Sequence, residues 1–317
     1  MADTPPRTGS PATPVTGTDL DTDLVVVGGG PAGCAAARMA ASVGMRTVLV
    51  EAGALCGSLY RVPVLDNVLG GHTGGPGLAA AITAELEGTG LCRLVLGRRA
   101  TGLRAGDDRV TVTLDTGARV TAPYAVVATG VRPLQPRDVG WITAPTDLAL
   151  PSLWEADASD AAGRTLLVLG GDRPVGTFLR AHPALGTRVL VAYPESDDYK
   201  VEEVRDDPRV TLLPVGHLVL GSAGGRAVAE VSDRSGGRRT VAADTVFLSI
   251  GGAPTAPAGD LVRDEAGYCL PADQHPRVLV AGDLRSARFQ RIMTAMGSGG
   301  EAALHAYYAA RKPPTGT

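Results

Sequence analysis

Cysteine is scarce in this chain, and its placement excludes more than its count does. Four cysteines occur in 317 residues, Cys34, Cys56, Cys92 and Cys269, and no two of them form a C-x-x-C pair. Neither a zinc site nor a local redox disulfide is therefore indicated. Long apolar runs are also missing. None approaches the roughly 20 residues that cross a bilayer, and the N-terminus lacks the charged-then-apolar order of a secretion signal. A cytoplasmic protein with no membrane partner is the expectation. Nor does one sign of charge dominate: 30 basic and 33 acidic residues leave a net charge of −3, which argues against nucleic acid as a partner. What is present, 44% hydrophobic and 20% charged residues, suits a soluble globular chain with enough apolar material for two cores.

Residues 1–20, "MADTPPRTGSPATPVTGTDL", are rich in Pro, Thr and Gly, and a disordered tail is expected there. From Asp23 the pattern becomes strand, glycine turn, helix, strand. The first strand is Leu24 to Val27 and the helix runs from about Pro31 to Val43. Gly44 ends the helix, and "RTVLVE" is the second strand. "VTVTLDTGARVTAPYAVVATG" reads as a hairpin feeding a strand from Tyr124 to Ala128. A second unit begins at Thr165 with "TLLVLGG", a helix over about Pro174 to Ala181, and "TRVLVAY". A similar hairpin and strand, "AVAEVSDRSGGRRTVAADTVFLSIGG", follow it. The same order thus occurs twice. "RVLVAGD" and a helix from about Met293 to Ala310 close the pattern. The fold class this predicts is α/β, with two Rossmann-like domains in three layers and β-hairpin or meander insertions.

The first glycine turn, Gly28-x-Gly30-x-x-Gly33, follows a strand and opens a helix, and Glu51 ends the next strand 23 residues after Gly28. Each part has a physical task. Gly28 allows the tight turn, Gly30 lets a pyrophosphate approach the backbone, and Gly33 lets helix and strand pack closely. The helix start, Pro31 and Ala32, offers free N–H groups and a positive dipole end. Glu51 suits ribose hydroxyls. The motif points to a dinucleotide but does not separate FAD from NAD.

Two further segments do. With "AVVATG" (Ala125 to Gly130) and "VLVAGDLRSARFQRIMTAMGSGGEAA" (Val278 to Ala303), the chain resembles the low-molecular-weight thioredoxin reductase family of flavoproteins from Asp23 onward. The resemblance implies FAD as cofactor, homodimers, and an FAD domain formed by residues 21–138 and 257–317. The intervening residues 139–256 take the place of an NADPH domain. "CGSLYRVPVLDNVLGG" matches the family segment that passes beside the flavin ring, with Cys56 on its first glycine, Ser58 on its glutamine and Asn67 on its asparagine. The implied cofactor contacts there are Ala52, Gly57, Ser58, Leu59 and Asn67. Ala128, Thr129 and Gly130 join them from the second segment. From the third come Gly282, Asp283 (on the family acid that bonds the ribityl–phosphate part), Gln290, Arg291 and Ile292. Gln290-Arg291 reverses the family's Arg-Gln order near the flavin.

Two devices of that family are missing. The stretch "GWITAPTDLALPSLW", where its C-x-x-C pair would begin the inserted domain, has no cysteine, which excludes disulfide reduction through such a pair. The second glycine turn, "LGGDRPVGTFLR", keeps Gly170 but has Asp172 at the second glycine position and Val175 at the third. A carboxylate roughly 4 Å from one phosphate charge costs about 4 kcal/mol at an effective dielectric of ~20, or ~1000-fold in affinity. "AYPESDDYK" stands where the family has basic residues for a 2′-phosphate, and Glu195, Asp197 and Asp198 would repel one. The alternative is a shifted turn that takes NADH with Glu195 on its ribose.

Electrons must then come from elsewhere. A small organic substrate could reduce the flavin, with dioxygen or another acceptor reoxidising it. A redox protein such as ferredoxin could exchange electrons with it, or the chain could be a flavin-binding partner or sensor without turnover. Cys56 is a candidate nucleophile or charge-transfer donor, or a buried space-filling thiol. Tyr60 is a candidate donor to a substrate oxygen, or a packing aromatic. His72, in "GGHTGG", is a candidate general base, or an exposed loop residue. The resemblance implies that Arg291 stabilises negative charge on reduced flavin, the role of the family's arginine. His182, His275 and His305 have no evident partner. The run "ESDD" reads as a solvated turn, and no metal site is expected.

Overall fold

The computed structural model describes residues 20–311. Its centre is a five-stranded parallel sheet in the order Val278–Val280, Tyr124–Val127, Leu24–Val27, Thr47–Glu51, Cys92–Leu96. All four pairings are parallel. Leu24 to Val27 are buried without alternation, as a strand covered on both faces must be. Leu24, Val26 and Leu49 face the helices Pro31–Ser42, Gly75–Glu87 and Ile292–Ala309. Val25, Val27, Val48 and Val50 face a second sheet, formed mainly by Ala100–Ala105, Val110–Leu114 and Arg119–Ala122. Helices, parallel sheet and hairpin sheet therefore make three layers. Each fully buried valine or leucine contributes about 1.5–3 kcal/mol against exposure.

The expected tail lies outside the described residues except for Leu20. With Asp21, Leu20 forms a short strand that pairs with Val120 and Thr121. Its half-buried side chain packs on the hairpin core, so it is anchored where disorder was expected.

The three-layer plan recurs with different residues. Val210–Val215, Arg188–Pro194, Thr165–Leu169 and Thr245–Leu248 form a parallel sheet. Leu166, Val168 and Val191 pack against Val175, Phe178 and Leu179 of the helix Pro174–Ala181. Leu167, Leu169 and Leu190 pack against Leu218, Leu220 and Val231 of a sheet built on His217–Ala223, Arg226–Ser232 and Arg238–Ala243. A two-stranded antiparallel ribbon, Val131–Pro133 with Gly252–Pro254, carries the chain into and out of this second assembly. None of the described helices is long and apolar enough to cross a membrane.

Candidate functional site

The two glycine turns share a frame down to single hydrogen bonds. Gly28 N donates to Val50 O at 2.8 Å, and Gly170 N to Ala192 O at 2.7 Å. Ala128 N donates to Val27 O and Ser249 N to Leu169 O, both at 2.7 Å. Gly28 and Gly170 have φ of +102° and +95°, a region costly for any residue with a Cβ. A Cβ on either would also lie 2.4 Å from Ala128 O or 2.3 Å from Ser249 O.

The turns diverge at the third position. Gly30 is extended (φ −72°, ψ −178°) and caps the helix Pro31–Ser42 with no side-chain bond. A Cβ there would meet nothing within 4 Å, and the Gly30 amide has no acceptor among the described residues. An open cradle with a free donor at a helix N-terminus is the arrangement that receives phosphate. At the corresponding position, the Asp172 amide donates to Ser249 O at 3.0 Å, and Ser249 Oγ donates back to Asp172 O at 2.9 Å. The Asp172 carboxylate has no ion-pair partner among the described residues, whereas the acids further on are neutralised. Glu195 meets Arg234 at 3.3 Å, Asp197 meets Lys200 at 3.0 Å, and Asp198 meets Arg205 at 3.0 Å while accepting from Tyr193 Oη at 2.8 Å. The repulsion expected of those three is thereby offset, and Asp172 carries the argument alone.

Around the first turn the expected cofactor residues fall into two groups. Glu51 accepts from Gly29 N at 2.6 Å and Gly53 N at 2.7 Å, which holds its carboxylate at the mouth of the turn. A Cβ on Gly282 would lie 2.8 Å from Ala32 Cβ, and one on Gly299 would lie 2.0 Å from Ala32 O. These close approaches bring the Gly282–Asp283 loop and the last helix, which begins at Ile292, to the start of the first helix. Burial pushes the Asp283 carboxyl above the usual carboxylate range, against the pull of Arg173 and Arg291. The Gln290 side chain donates to Ser286 O at 3.0 Å and Asp283 O at 3.3 Å, fixing that loop. Thr129 Oγ1 is a buried hydroxyl with no partner, beside the Gly28 turn. Ala52, Gly57, Ser58 and Asn67 are exposed, whereas Leu59 is buried.

The catalytic candidates do not come together. Tyr60 is exposed and His72 half-buried; neither makes a side-chain hydrogen bond among the described residues. Cys56 is fully buried, with φ +52°. Its sulfur lies 3.7 Å from that of Cys34. No spacing rule finds this pair, because the contact forms only once the strand Thr47–Glu51 returns beside Leu24–Val27. Arg173, on the second turn, is a further residue that sequence reasoning missed. Burial lowers its pKa, Arg291 acts in the same direction, and Asp172 and Asp283 oppose them. Among the described residues no group of three or more His, Cys, Asp or Glu could hold a metal.

Residues 22–171 match the family described as pyridine nucleotide-disulphide oxidoreductase. The chain is 26% identical over 304 residues to an alkyl hydroperoxide reductase protein of Xanthomonas campestris pv. phaseoli, covering 90% of this chain but only 56% of that protein. It is 24% identical over 300 residues to thioredoxin reductase of Treponema pallidum, covering 90% of this chain and 96% of that one. In fold it is similar to the Lactococcus lactis thioredoxin reductase in its FR conformation, with a TM-score of 0.76 at 22% identity over 90% of this chain and 98% of that one.

Proposed function

In this thioredoxin reductase-like FAD oxidoreductase, we propose that a small organic molecule delivers electrons and that dioxygen or another small acceptor removes them, without NADPH and without a C-x-x-C pair. The observation that carries the reading is the contrast at the third position of the two turns: an open cradle and free amide at Gly30, an occupied amide at Asp172 and a carboxylate there with no ion-pair partner among the described residues.

FAD supplies the two-electron chemistry when bound; the protein's part is to hold, orient and shield it. Gly30, with Pro31, Ala32 and Gly33 behind it, presents the helix N-terminus to the phosphates. Glu51, held by the Gly29 and Gly53 amides, offers carboxylate oxygens to ribose. Asp283 is held for the ribityl region by the Gln290-braced loop. We assign residues 21–138 and 257–317 to the FAD-binding unit and 139–256 to the nucleotide-domain remnant. The ribbon at Val131–Pro133 and Gly252–Pro254, close to both junctions, supports that division. Tyr60, exposed on the segment after Cys56, is the proposed substrate-facing polar group.

The test is the visible spectrum of the purified protein, followed by anaerobic titration with NADPH and NADH. A yellow protein that neither bleaches is expected. Rapid bleaching by NADPH would overturn the reading, and bleaching by reduced ferredoxin would move it to a redox-protein partner.

A further inference from the structure

Cys34 and Cys56 are 22 residues apart in sequence, yet their sulfurs lie 3.7 Å apart in the buried core beside the first glycine turn. Both residues hold the same carbonyl. Cys34 Sγ donates to Gly29 O at 3.2 Å, and Cys56 N donates to it at 2.7 Å. The amide of Gly29 in turn donates to Glu51 at 2.6 Å. Cys34 sits on the first turn of the helix that forms the cradle, whereas Cys56 ends the segment that carries Glu51 and Gly53 away from it. Cys56 is also one of only two non-glycine residues with positive φ among those described. That backbone is costly for a side chain with a Cβ, and here it aims the Cys56 sulfur at its neighbour.

We infer that Cys34 and Cys56 are a redox-responsive pair that a peroxide converts to an intramolecular disulfide, clasping the Glu51–Cys56 segment onto the helix that cradles the cofactor. One sulfur attacks a peroxide oxygen. The O–O bond breaks, the sulfur gains a hydroxyl group, and the thiol proton leaves with the second oxygen as water. The other sulfur then attacks this sulfenic sulfur; the S–S bond forms, the S–O bond breaks, and a second water leaves with the remaining thiol proton. Two thiols lose two electrons and two protons, and one hydrogen peroxide becomes two waters. Closing the sulfurs to the ~2.05 Å of a disulfide requires a movement of under 2 Å. The hydrogen bond with Cys56, then burial, holds the Cys34 thiol well above its ordinary range. Cys34 therefore rests as the protonated thiol, and both cysteines are unlinked. The role is distinct from that of an exposed C-x-x-C pair: with both thiols buried, it acts on the cradle and not on a disulfide substrate.

The experiment treats the holoprotein with hydrogen peroxide, quenches in denaturant with an alkylating agent, and maps peptides without reduction. The expected product is a Cys34–Cys56 linked peptide, 2 Da lighter than the sum of the two free peptides. Release of FAD, followed by its fluorescence on dilution, is expected to slow about tenfold in the oxidised protein and to recover on reduction. Cys34→Ala should abolish the peroxide effect on release, and Cys56→Gly, which suits the positive φ, should do the same. Recovery of both cysteines as free alkylated thiols after Cys92 has been oxidised would overturn the inference. So would linkage of either to another cysteine, or a linked protein that releases FAD at the unmodified rate. None of these readouts depends on which molecule reduces the flavin.

Discussion

Replacing Gly30 with aspartate transplants the divergent residue of the second turn into the first, and the structure separates its consequences. A Cβ at Gly30 meets nothing within 4 Å, and the backbone there is extended with negative φ. No protein atom has to move. The position is also a helix N-cap lacking a side-chain bond, a place where Asp or Asn gains a few tenths of a kcal/mol over Gly. The apoprotein of Gly30→Asp should therefore melt at or slightly above the wild-type temperature. Cofactor binding should respond in the opposite direction. The new carboxylate projects into the cradle, roughly 4 Å from a phosphate charge, at a cost of about 4 kcal/mol at an effective dielectric of ~20, which is ~1000-fold in affinity. Gly30→Asn supplies the same volume and capping capacity without the charge. The ratio of FAD dissociation constants between Asp and Asn variants, measured by fluorescence quenching with apoprotein, isolates the electrostatic term. It should shrink with added salt only in part, because the cradle is shielded. Asp and Asn variants that bind FAD within threefold of each other would refute the reasoning, and with it the interpretation of Asp172.

Gly33→Ala places a Cβ 1.8 Å from Gly28 O; the helix must shift, so a loss of about 1–3 kcal/mol and weaker FAD retention are expected in thermal melts and flavin-release assays. A melt unchanged by this substitution would show that the helix start is not held where the structure places it. Arg132, at 2.7 Å, holds the Asp138 carboxyl near a pKa of about 2, below the ordinary 3.8. A depressed carboxylate stabilises the fold above its unfolded value and loses that contribution as pH falls through its folded one. Asp138→Asn should thus lower the melting temperature at pH 6, with the difference closing as the pH is lowered from about 4 toward 2. A difference that widens with acid would reverse the sign of the assignment.

The frame of both units was written locally. The Pro31 and Pro174 helix starts, the strands ending at Val27 and Leu169, and the glycines of the turns obey short-range rules, so their positions could be read along the chain. The contrast between Gly30 and Asp172 was equally visible. What stayed hidden depends on partners distant in sequence. Ser249, 77 residues away, takes the Asp172 amide, and Arg234 neutralises Glu195. Leu20 joins a strand because the edge of Arg119–Ala122 is available to it, which the composition of its neighbours does not disclose. Cys34 and Cys56 looked unrelated because cysteine spacing reports only pairs closed by local structure.

The two turns also show how a glycine turn keeps its frame while its third position changes. The bonds that build the frame start at the first position: Gly28 to Val50, and Gly170 to Ala192. The bonds that receive a ligand start at the third. Substitution at the third position therefore leaves the strand crossing intact, and the orphaned amide needs a new acceptor, since an unpaired buried N–H costs about 1–3 kcal/mol. Ser249 O supplies that acceptor in the second unit. In the first unit, Gly30 N still has none among the described residues. On the proposed function, the unsatisfied donor belongs to the cofactor site, and the satisfied one to a turn whose third position is closed within the protein.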